Sequence, residues 1–210
     1  MRKILWILFL LAFIGVGIWW KVRSPSPNSW NIANFPPRAE GPIVAFGDSL
    51  TEGFGSGAKG MDYPSVLQSI IGRRVVNLGV SGDTIPRASR RLGNVEALQP
   101  SMVILFLGGN DLLQRKDLSS SFAALESMIE RIQAGGAMVF LVGLEGLPLL
   151  APVGKRYFDT AKKTGAVLVP DVLKGIMGKT GLMADGIHPN EEGYRILAER
   201  IARAMTPYLR

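Results

Sequence analysis

Residues 102–111 read MVILFLGGND, and the first six of them are apolar without a break. A strand with one face in water alternates apolar and polar residues. A run this uniform, stopped by two glycines, reads as a strand buried on both faces. Runs of the same character recur at 43–47 (IVAFG), 74–78 (RVVNL), 137–143 (AMVFLVG) and 166–170 (AVLVP), with the central one taken as 102–108. The stretches between them are amphipathic and long enough to cross from one strand to the next, predicting helices near 63–72, 84–98, 119–134 and 155–164, and a last one over 190–206. The pattern predicts a doubly wound α/β protein: a three-layer α/β/α sandwich on a five-stranded parallel sheet. Such sheets bind ligands beyond the carboxyl ends of their strands.

Upstream of the first strand the character changes twice. Residues 1–23, MRKILWILFLLAFIGVGIWWKVR, hold an uncharged, apolar core at 4–20 between Arg2, Lys3 and Lys21, Arg23. Seventeen helical residues rise roughly 25 Å, the short end of a membrane span and longer than most signal-peptide cores. The segment is read as an N-terminal transmembrane helix that anchors the chain, with a cleaved signal peptide as the alternative. No small-x-small cleavage site follows it directly. The two flanks carry similar positive charge, and the terminal amine tips the orientation to N-in, placing the remainder outside the cytoplasm, in the periplasm, or secreted if the segment is removed. Residues 24–42, with five prolines and many small polar residues, read as an extended linker, so that the folded domain spans 43–210.

Composition excludes several classes. The net charge is +7, but beyond residue 23 the chain carries 20 basic against 17 acidic residues, too even a balance for a nucleic-acid groove. The absence of cysteine removes thiolate nucleophiles and Cys-ligated zinc. Gly55, Gly57 and Gly60 satisfy the dinucleotide spacing, yet seven residues separate them from the preceding strand and Asp62–Pro64 start the helix after the last glycine, so GFGSGAKG reads as a loop beside the site.

Polar residues cluster where the strands end. Ser49 follows the first strand by two residues, Gly82 stands in NLGVSGDT after the second, and Asn110 in FLGGNDLL after the third. One hydroxyl, one glycine amide and one carboxamide at a common edge can attack a carbonyl and hold the oxyanion that forms. The base is His188, the chain's one histidine, with Asp185 three residues before it and Pro189 and Asn190 marking a helix start behind it. The carboxylate can hold one ring nitrogen and leave the other to accept the Ser49 proton. Asp48, Asp83 and Asp111 are assigned to loop hydrogen bonding, and Gly79 to turn chemistry.

Taken together, GDSL at 47–50, SGDT at 81–84, GGND at 108–111 and DGIHP at 185–189 resemble the GDSL, or SGNH, hydrolases, over about residues 43–205. VSGDT and LGGND look like the thioesterase I, lysophospholipase L1 and arylesterase branch. The resemblance implies a flavodoxin-like fold and a serine esterase with Ser49 as nucleophile, His188 as acid and base, and Asp185 as its partner. It also implies an oxyanion hole from the amides of Ser49 and Gly82 and the side chain of Asn110, with no cofactor and no metal. The expected partner is a small acyl ester, thioester or lysolipid, with no nucleic acid and no obligate protein partner. Leu144, Leu147, Leu149 and Leu150, in the loop 143–154, suggest an acyl groove at the same edge. Two other readings use the same domain: an envelope carbohydrate O-acetylesterase or acyltransferase, and a membrane-tethered binding domain without turnover. The intact serine, aspartate and histidine speak against the latter, and the leucines against the former.

Overall fold

The structure, a computed structural model, describes residues 28–144 and 151–209. The apolar segment 4–20 and Leu147, Leu149 and Leu150 lie outside the described residues. Five strands, β1 (Gly41–Gly47), β2 (Val75–Gly79), β3 (Pro100–Phe106), β4 (Met138–Val142) and β5 (Val167–Val169), form one parallel sheet in the order β2-β1-β3-β4-β5. Each lies within about two residues of its apolar run, as boundaries read from sequence usually do. The uninterrupted apolar character has the expected cause. Val103, Leu105, Val139 and Leu141 are buried as fully as their neighbours Ile104 and Phe140, because helices cover both faces.

The helices are α1 (Ser49–Glu52), α2 (Tyr63–Ile71), α3 (Ile85–Ser89), α4 (Gly93–Glu96), α5 (Gly109–Leu113), α6 (Leu118–Ala134), α7 (Ala151–Thr164) and α8 (Glu191–Met205). On one face α2 packs against α8; on the other, α6 packs against α3 and α7. Among the described residues no helix is long and apolar enough to cross a membrane. Capping residues fix the main boundaries. Asp62 accepts from the Ser65 amide at the start of α2, Asp117 from Ser119 and Ser120 at α6, and Asn190 from Gly193 at α8.

Three expectations are corrected. The single helix predicted over 84–98 is two short ones, α3 and α4. Gly93, a poor helix-interior residue, lies at the break, and Arg91 there turns inward to the sheet edge. Residues 151–154, taken as part of a loop, begin α7, where Pro152 occupies a first-turn position that needs no amide hydrogen. Gly79 is more than a turn residue: a Cβ there would stand 2.0 Å from the Glu52 amide nitrogen, so its bare backbone lets α1 lie across the end of β2.

The proline-rich stretch has neither helix nor strand over residues 28–40, but it is fastened to the domain. Asn28 donates to the Leu168 carbonyl and accepts from the Leu168 amide, mimicking a neighbouring strand on the free edge of β5. Trp30 Nε1 donates to Ala166, the Ala33 amide to Gly165, Asn34 to Gln133 and Ala137, and the Arg38 amide to Gly136. The chain thus descends along β5 and passes under β4 before entering β1.

Candidate active site

β1 lies between β2 and β3, and successive connections leave it in opposite directions, so the crevice beyond its carboxyl end is the switch point of the sheet. Asp48 sits there as the N-cap of α1, its carboxylate accepting from the Leu50 amide at 3.0 Å. The cap turns the chain sharply out of β1 and leaves Ser49 on the crevice wall. Burial pushes the Asp48 carboxyl up to about 6, against the opposing pull of the Leu50 amide and the nearby His188.

The turn after β2 is held from two sides. Glu52 accepts from the Ser81 amide at 2.7 Å and from the Ser81 hydroxyl, tying residues 80–82 to α1. The amides of Val80 and Asp83 are committed to Gly47 and Val80 carbonyls, and Gly82, at φ +78°, lines the crevice between them. A side chain there would be strained even though the space around it is open. From α5, Asn110 donates through Nδ2 to the Asp83 carbonyl at 3.0 Å, with the Asp48 carboxylate at 3.4 Å. The carbonyl acceptor orients the carboxamide, because only the nitrogen can donate to it. A second brace is Arg91, whose guanidinium donates to the carbonyls ending β1 (Gly47, 2.8 Å) and β2 (Leu78, 2.7 Å) and to Asp83 at 2.6 Å, lying over the Phe46 ring.

The opposite wall is the loop before α8. Met183 and Pro189 form an antiparallel bridge, the Ala184 amide donates to the His188 carbonyl, and the Asn190 amide to Leu182. Within this closed loop Asp185 Oδ1 accepts from the amides of Ile187 (2.8 Å) and His188 (2.7 Å), leaving Oδ2 to meet His188 Nδ1 at 2.8 Å. The imidazole hydrogen bond, followed by the two amides, holds the Asp185 carboxyl down at about 2. His188 Nε2 lies 3.0 Å from Ser49 Oγ. Hydroxyl, imidazole and carboxylate, carried by segments 139 residues apart, thus form one hydrogen-bonded series.

The sequence reading missed several supports. Phe54, in the glycine loop after α1, sets its ring 4.6 Å from the imidazole, and its carbonyl accepts from Tyr194 of α8 at 2.8 Å. Gly55 allows this approach, since a Cβ there would meet Ala184 and His188. Asp83 and Asp111 do act as loop acceptors, the former for Arg91, the latter for the Ile85 amide and the Ser121 hydroxyl. A groove of about 400 Å3 opens beside Ser49 and His188. Leu144 lines it as expected, but its other apolar walls include Leu112 and Leu113 of α5, Leu173, Met177 and Ile187. Among the described residues no group of three histidine, cysteine or acidic side chains is placed to hold a metal.

A doubly wound sheet that presents a serine to a histidine and aspartate at its switch point, beside an apolar groove, defines a hydrolase of ester bonds. The chain belongs to the GDSL-like lipase/acylhydrolase family, whose profile matches residues 45–196 and so takes in Ser49, Gly82, Asn110, Asp185 and His188. It is 32% identical over 183 residues to the esterase TesA of Pseudomonas aeruginosa, covering 80% of this chain and 89% of that one. It is 28% identical over 188 residues to the thioesterase 1/protease 1/lysophospholipase L1 of Escherichia coli K12, covering 84% and 88%. A crystal structure of TesA superposes with a TM-score of 0.70 at 31% identity, covering 79% of this chain and 98% of that one.

Proposed function

We propose that this chain is a serine esterase or thioesterase for apolar acyl substrates, tethered to a membrane by residues 4–20, with its domain outside the cytoplasm. The observation that carries the reading is the hydrogen-bonded series Ser49–His188–Asp185 opening onto the apolar groove. Ser49 Oγ attacks the acyl carbon while its proton passes to His188 Nε2. The Asp185 carboxylate keeps Nδ1 protonated and steadies the resulting imidazolium. Charge developing on the carbonyl oxygen is met by the amides of Ser49 and Gly82 and by Asn110 Nδ2, which the Asp83 carbonyl orients and whose longer contact to Asp48 gives way to the oxyanion. Collapse of the tetrahedral species breaks the bond to the leaving oxygen or sulfur, which takes the proton from His188. Water, deprotonated by the same imidazole, then releases the acid and restores Ser49.

The apolar groove favours an acyl chain over a sugar, and lysophospholipid joins aryl and alkyl esters as a substrate class. Because the Asp185 carboxyl is held down to about 2, it stays ionised and keeps its hold on the imidazole across the working pH range. The test is hydrolysis of nitrophenyl esters of increasing acyl length and of acetylated glycans by the wild type and Ser49→Ala. Turnover that grows with chain length and vanishes in the variant supports the proposal. Equal activity in the variant overturns it, and strict preference for acetyl groups favours a carbohydrate substrate.

A further inference from the structure

The rim of the groove is unusually apolar for a surface. Of the seven large hydrophobic side chains exposed among the described residues, Phe54 (54%), Leu113 (63%) and Ile187 (44%) stand at the mouth of the groove and Val80 (40%) on the turn after β2. Of the others, Phe35 and Phe158 rest edge-on against Tyr208 and Trp30. Cations flank the rim: Arg115 and Lys116 follow Leu113, and Lys59 lies in the loop that carries Phe54, all exposed. Acids share this rim, Glu52, Asp185 and, beside Lys116, Asp117, each accepting hydrogen bonds from the protein's own donors.

The way the chain enters the domain adds an independent constraint. Asn28 is fixed at the level of Leu168, and the residues after it run antiparallel to β5, toward Ala166 and Gly165. The chain thus enters the described domain at Asn28, level with Leu168 and next to the carboxyl end of β5, the edge that carries the site. Only Ser24–Pro27 separate Arg23 from Asn28. Four residues reach at most about 14 Å, so the fastening of residues 28–38 turns a nominally long linker into a short tether. If residues 4–20 anchor the chain, so short a connection keeps the domain close to its bilayer, with the carboxyl edge of the sheet nearest.

We propose that the active-site mouth is a membrane-docking face, on which Phe54, Val80, Leu113 and Ile187 enter the interface of a phospholipid bilayer while Lys59, Arg115 and Lys116 meet its anionic headgroups. The proposal rests on the tethered-esterase reading. A lipid ester then reaches Ser49 by sliding its acyl chain from the bilayer into the groove, with no passage through water. Apolar side chains ringed by cations are the surface that anionic interfaces retain.

The absence of native cysteine makes the test direct. Single-cysteine forms of the full chain, Leu113→Cys and Lys116→Cys at the mouth and Glu40→Cys and Arg73→Cys at the amino edge, are labelled with an environment-sensitive fluorophore. They are reconstituted into vesicles of phosphatidylethanolamine with phosphatidylglycerol as the minor component, and quenched by spin-labelled lipid. The expected result is quenching at 113 and 116 several-fold stronger than at 40 and 73. The charge reversal Arg115→Glu with Lys116→Glu should slow hydrolysis of vesicle-borne lysophospholipid several-fold and leave a soluble nitrophenyl ester unaffected. Equal quenching at both edges overturns the proposal, as does shielding at 113 that follows protein concentration and not lipid, which marks a contact between two copies. Failure to float with the vesicles overturns the tether and the proposal together. The fluorescence readout needs no turnover, so loss of the esterase reading is seen separately in the hydrolysis assays.

Discussion

The two walls of the site are made in different ways. Ser49, Gly82 and Asn110 stand at the ends of adjacent strands, and Asp48, Glu52, Asp83 and Arg91 knit those ends together through backbone groups. Asp185 and His188 rise from a surface loop with no strand beneath it, shaped by its own hydrogen bonds and leaned on by Phe54. On the first wall the groups that position chemistry also hold the fold. On the second they are separable, and substitutions there should remove turnover while leaving stability alone.

The largest effects test that separation. Ser49→Ala and His188→Ala should each lower kcat by about 10⁴- to 10⁶-fold, as loss of one member of a concerted set does elsewhere. His188→Ala should leave the thermal midpoint unchanged in a melting experiment. Asp185→Asn keeps the shape of the loop but not the charge, and should cost about 10⁴-fold in kcat with little change in KM. If it unfolds the domain instead, the second wall is not separable. Asn110→Ala belongs to the first wall. It should lose about 10²- to 10³-fold in kcat and, by stranding the Asp83 carbonyl, about 1 kcal/mol in a denaturant titration.

The last effect bears on stability alone and concerns Asp48. Its carboxyl titrates near 6 in the fold against 3.8 when free, so between those values the folded chain holds a proton that the unfolded chain has released. Stability therefore falls as pH rises from about 4 to 6 and then levels, by on the order of 2–3 kcal/mol from this group. Asp48→Asn can keep the cap and should flatten that dependence. An unchanged slope in the variant would mean the carboxylate is not strained by burial.

The difference between the walls also explains what could be read from residues alone. Strands buried on both faces announce themselves as unbroken apolar runs, so β3 and β4 are legible almost to their ends. The residues of both walls are legible as types at strand ends and before a helix. What connects them is not. Arg91 reaches carbonyls 13 and 44 positions away, and Glu52 reaches a turn 29 positions on, contacts with no local periodicity to reveal them. α1 and α5 are too short to show a helical period. The fastening of residues 28–38 uses side-chain amides and an indole against strand backbone, so proline content predicts its irregularity but not its attachment. The groove draws Leu173, Met177 and Ile187 from segments whose leucine content is unremarkable, whereas the leucine-rich loop contributes Leu144 among the described residues.

The most direct measurement is covalent trapping of the nucleophile. The full chain treated with a nitrophenyl alkylphosphonate should lose esterase activity as it gains one phosphonyl group per chain, found by peptide mass analysis on Ser49. Ser49→Ala should take up none. An adduct on another residue that accounts for the lost activity, or inactivation of Ser49→Ala at the wild-type rate, would contradict the account.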